Sequence, residues 1–186
     1  MCHQRATRRL VVYDLLRRLF LIGPSPELLQ AIAAVDRTSL GLPRHLDHDL
    51  GIMQEAVDAN LERLQSWSES LLVEFTRLMI GPGETPVVPY GSFYLDAGLA
   101  VENLHRVPDD HLGIELEFLY WLTQQAAERA DDGAREAQVR FLDLRDSFIR
   151  DHCSKWVPEF ADALDRATSE PFFRAIASVS KPPQPH

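Results

Sequence analysis

The sequence predicts an all-α protein, and three observations carry that expectation. From Leu50 to Leu78 the apolar positions Leu50, Met53, Val57, Leu61, Leu64, Trp67, Leu71, Phe75 and Leu78 recur at steps of three or four residues, the spacing of one helix face. Proline, alone or beside a side chain able to cap a free backbone N–H, stands where four further helices would begin, at Pro26, Pro108, Pro158 and Pro171. No stretch alternates apolar and polar residues as a half-buried strand does.

Taken in order, the first helix is expected over about Thr7 to Ile22, with Val12, Leu15, Leu16, Leu19 and Phe20 as its apolar stripe. Gly23–Pro24 ends it. Ser25 then caps a short helix with Pro26 in its first turn, running to about Val35. Gly41 and Pro43 mark Thr38 to Asp47 as loop. The segment from Leu50 to Leu78 is one long helix or two in line, with Ser66 and Ser68 as the expected break, and Gly81–Pro82–Gly83 stops it. Prolines crowd the first half of Glu84 to Asp96 and exclude a regular helix there. A long Pro- and aromatic-rich loop in a helical protein is usually functional.

Pro108, Asp109 and Asp110 open the central helix. It is apolar on more than one face, with Leu112, Leu116 and Leu119 along one line and Ile114, Phe118, Trp121 and Leu122 along another. Such a helix packs on several sides within a bundle. His111, Glu115 and Glu117 interrupt it, and charges of this kind must be paired or placed at an opening, which suggests a polar rim at its N-terminal end. The helix ends before Asp131–Asp132–Gly133. Another follows over about Ala134 to Cys153, Pro158 starts a short one through Phe160 and Leu164, and Pro171 starts the last. The expected organisation is one helical-bundle domain over residues 1–180, with a first half of about 1–80, a Pro/aromatic loop 81–107 and a second half 108–180. The final KPPQPH, 181–186, reads as a disordered tail.

Composition narrows the partners. With 186 residues, 45% apolar and 25% charged, the chain can bury a sizeable core. A net charge of −9 argues against nucleic acid, whose phosphates demand a basic face, and allows a basic peptide. Two cysteines, Cys2 and Cys153, are too few for a disulfide framework. Arg8–Arg9 precedes an apolar run, but Asp14 and Arg17–Arg18 break it too early for a secretory signal. No stretch reaches the ~20 apolar residues of a membrane span. These features point to a protein that stays in the cytoplasm.

PDDHLGIELEFL, Pro108 to Leu119, resembles the Pro-x-Asp-His-x-x-x-Glu-x-x-Phe signature of the TorD/DmsD/NarJ-like chaperones, which serve molybdenum-cofactor oxidoreductases and recognise twin-arginine signal peptides. GPGETPVVPYGSFYLD, Gly81 to Asp96, resembles a second block of the same family. The resemblance implies a TorD-like helical bundle, and a cytosolic chaperone that binds the signal peptide and immature form of a molybdopterin-dependent oxidoreductase. It would aid cofactor insertion and delay export, and is not an enzyme. Carried over by position, the implied peptide site takes Phe75, Leu78 and Met79 from the end of the long helix. Pro89, Tyr90, Ser92 and Tyr94 come from the loop, and Asp110 and His111 from the start of the central helix. Aromatic and aliphatic groups suit the apolar part of such a peptide, and carboxylates its arginines. The bland alternative makes Tyr90, Phe93 and Tyr94 core and Asp110 a cap. The chain departs from its family in the short connector Leu95 to Val107, in Val107 where Glu is common, and in Met79 where an aromatic is frequent. Family members also exchange halves between chains, so a homodimer is open to it.

Other chemistries fit less well. His45, Asp47, His48 and Asp49, together with His111 or His152, hold metal-ligand types, but at no standard zinc spacing, and no metal or other cofactor is expected. GPGETP lacks the Gly-Lys-Ser/Thr of a phosphate loop. Asp110 and His111, adjacent at a helix start, point apart and cannot form a nucleophile relay with Ser92. The remaining readings are a generic helical adaptor for another partner and, more remotely, a small metal-dependent hydrolase.

Overall fold

Helices form where the apolar stripes lie. The computed structural model describes residues 2–80 and 112–181. Within them run α1 (Cys2–Ile22), α2 (Pro26–Ala33), α3 (Arg37–Leu40), α4 (Arg44–Asp58), a 3-10 turn (Leu61–Arg63) and α5 (Leu64–Ile80). After the undescribed segment come α6 (Leu112–Asp131), α7 (Arg135–Phe148), a π-helical turn (Ile149–Cys153), α8 (Ser154–Ala167) and α9 (Pro171–Ser180). Among the described residues there is no strand, and the all-α expectation holds.

The helix ends have local causes. Gly23, at φ 89°, turns the chain after α1, and its N–H donates to Leu19 O at 2.8 Å. Ser25 Oγ accepts from Leu28 N at 3.2 Å and caps α2, with Pro26 in the first turn as expected. The loop expected over 38–47 is mostly helical instead. Asp36 accepts from the N–H groups of Thr38 and Ser39, which starts α3, and Gly41 in the left-handed region closes it. α4 then begins at Arg44, so His45, Asp47 and His48 lie on a helix.

The break in the long apolar stripe also falls elsewhere. It comes at Ala59–Asn60 and the 3-10 turn, where Asn60 Nδ2 donates back to Ala56 O at 2.7 Å. Ser66 and Ser68 sit inside α5, their hydroxyls bonded back to Arg63 O and Gln65 O. Pro158 does not start a helix but lies inside α8. Just upstream the ladder has already slipped, because Ser154 N–H reaches back five residues to Ile149 O. The proline, which can donate nothing, arrives where the regular pattern is already interrupted.

The chain divides into two compact units, Met1–Arg17 with Thr85–Trp156, and Arg18–Glu84 with Val157–His186. In the first, α6 packs along α7. Phe118 sets its ring edge-on to Phe148 at 5.0 Å, and Trp121 stands edge-on to Phe141 at 5.6 Å. Arg17 lies 4.5 Å over the Tyr120 ring while its guanidinium pairs with Asp14 and Glu117. In the second unit α4 packs against α9 and α2, and α2 touches α5. Phe172 and Phe173 of α9 are wholly buried, with Trp67 edge-on to Phe172 at 5.8 Å. Gln54 Nε2 reaches Ile32 O and Val35 O and so closes the free end of α2. Gly51 of α4 makes room for the Arg37 guanidinium, since a methyl group there would run into Arg37 Nη1.

Candidate functional site

Three of the nine residues assigned to a peptide site are described, and all three lie in the last two turns of α5. Phe75, Leu78 and Met79 are each partly exposed. Pro89, Tyr90, Ser92, Tyr94, Asp110 and His111 lie outside the described residues. The Phe75 ring stacks on Phe173 at 6.4 Å and tilts against Phe20 at the same distance. One side of Phe75 is therefore anchored in the core of its unit while the ring keeps an accessible part. Sequence reasoning did not find these two anchors, because Phe20 and Phe173 come from opposite ends of the chain.

Large apolar side chains are exposed on α5 and at the end of α1. Leu72 is 43% exposed and Val73 is 73% exposed on α5, and Ile22 at the end of α1 is 72% exposed. Gly23 brings α1 onto this part of α5: a methyl group at Gly23 would come within 2.8 Å of Leu72 Cδ1 and 3.7 Å of Phe75 Cδ1. Neighbouring charges on α5 are satisfied within the unit. Glu74 accepts from Arg77 Nε at 2.8 Å and from Thr168 Oγ1 at 2.9 Å. The Arg77 bond, then that of Thr168, holds the Glu74 carboxyl below its usual range. Arg77 Nη2 also donates to Ala167 O at 2.7 Å, at the end of α8.

The polar groups of α6 are placed differently from a rim. Glu117 is half-exposed and pairs with Arg17, but Glu115 is buried. Its Oε1 accepts from His152 Nε2 at 2.7 Å and its Oε2 from the Cys153 thiol at 3.6 Å. Burial, with the Glu115 carboxylate beside it, pushes the Cys153 thiol far up, so the sulfur keeps its proton and donates. His152 stacks on Phe148 at 4.9 Å. Glu115 belongs to the quoted Asp-His-x-x-x-Glu pattern, so the carboxylate was visible in the sequence; its partners across the helix pair were not. On α4, Asp47 faces Arg37. Among the described residues no group of three or more His, Cys, Asp or Glu is arranged to hold a metal ion, and no helix is long and apolar enough to cross a membrane.

These helices define an all-α protein. The nitrate reductase delta subunit family matches residues 44–162, from α4 into α8, and the chain belongs to this family, which takes in the TorD/DmsD/NarJ-like chaperones. It is 28% identical over 156 aligned residues to the chaperone protein TorD of Vibrio cholerae, covering 74% of this chain and 66% of that one. It is 23% identical over 161 residues to the TorD chaperone of Photobacterium profundum, covering 76% and 73%. The Tat proofreading chaperone DmsD of Salmonella typhi is 26% identical over 132 residues, covering 61% and 58%. The chain thus spans just under two thirds of the length of the Vibrio relative. No solved structure matches it.

Proposed function

We propose that the protein is a cytosolic chaperone for a molybdopterin-dependent oxidoreductase, binding its twin-arginine signal peptide and its immature form. The observation that carries this reading is the family match across 44–162, because that stretch holds both α5 and the Asp110–Glu115 region in their family order. The partly exposed Phe75, Leu78 and Met79, with Leu72 on the same face of α5, support it as a landing surface for the apolar part of a leader. Pro89, Tyr90, Ser92 and Tyr94 would extend that surface, and Asp110 and His111 would meet the paired arginines. No bond is made or broken. The work is tighter binding of the immature partner, which delays export until the cofactor is in place.

Titration of a fluorescent twin-arginine peptide against the wild type, Asp110→Asn and Tyr90→Ala tests the assignment. Asn caps a helix about as well as Asp, so Asp110→Asn should lower stability by less than about 1 kcal/mol, read from thermal melts. Its affinity should fall about tenfold or more, because a charge-assisted bond contributes ~1.5–3 kcal/mol, and less so at high salt. Tyr90→Ala should weaken binding with little dependence on salt. An Asp110→Asn protein that melts far earlier yet binds as the wild type does would reduce the residue to a cap and move the site elsewhere.

A further inference from the structure

We draw no further inference here: the strongest candidate, the exposed apolar side chains Leu21 and Ile22 at the end of α1 and Leu72 on α5, belongs to the surface already described, and nothing in the structure shows what covers it.

Discussion

Replacing Phe75 by alanine distinguishes a ring that is only core from one that is shared between core and ligand. Its inner side meets Phe20 and Phe173, but the residue is partly exposed, whereas Phe173 is wholly buried in the same unit. Truncating a fully buried Phe costs about 3–5 kcal/mol, from lost apolar transfer and from the cavity left behind. Phe173→Ala should fall in that range. Phe75→Ala loses contacts on one side only and opens toward solvent, so no closed cavity remains, and about 2 kcal/mol is expected. Urea unfolding followed by circular dichroism reads the difference. With a slope of roughly 2 kcal/mol per molar, the midpoint should fall by about 1 M for Phe75→Ala and by about 2 M for Phe173→Ala. Peptide affinity should move in the opposite order, falling further for Phe75→Ala in molecules that remain folded. Equal midpoint shifts would place Phe75 wholly in the core and remove it from the binding surface.

Other perturbations follow from the same geometry. Gly23→Ala forces a side chain into the left-handed region and against Leu72, whereas Gly133→Ala, at φ 71°, meets nothing within 4 Å. The second should cost about 1–2 kcal/mol of strain and the first clearly more, as thermal melts would show. Ser25→Ala removes the cap of α2 and should cost about 1 kcal/mol by the same assay. The Glu74 carboxyl, held low by Arg77 and Thr168, contributes stability that is present above its unfolded value and lost as pH falls through its folded one. Stability should therefore rise with pH across the acid carboxylate range, and Glu74→Gln should flatten that rise; an unchanged slope would remove Glu74 from the account.

The helical class and most helix positions were legible because apolar spacing reports burial directly. Leu15, Leu16, Leu19 and Phe20 were expected as a stripe and are buried. Ser25–Pro26 and Pro171 open helices as such residues do. The misses share one cause: competing local signals of similar strength. Gly41 and Pro43 read as loop, yet capping by Asp36 is enough to form the four-residue helix Arg37–Leu40 just before them. Steps of three and four continue unbroken from Leu50 to Leu78, so periodicity could not decide whether the interruption falls at Asn60 or at the serines. Pro158 looked like a start because nothing in the sequence announces the π turn before it.

The candidate site was legible unevenly. Phe75, Leu78 and Met79 could be singled out only through the family pattern, since their spacing alone makes them core, and their partial exposure comes from the structure. Glu115 was visible as a charge in an apolar helix, but its burial and its bond to His152 depend on two helices meeting, which no local pattern encodes. The same holds for the packing of α9 against α4, which joins distant parts of the chain.

The central claim is recognition of paired arginines next to an apolar leader segment. Calorimetric titration of the purified protein with a twin-arginine leader peptide, and with the same peptide carrying two glutamines in place of the arginines, tests it directly. The account predicts saturable binding of the first and an affinity lower by about tenfold or more for the second, with the gap narrowing as salt rises. Equal affinities for the two peptides, or no binding of either, would contradict it.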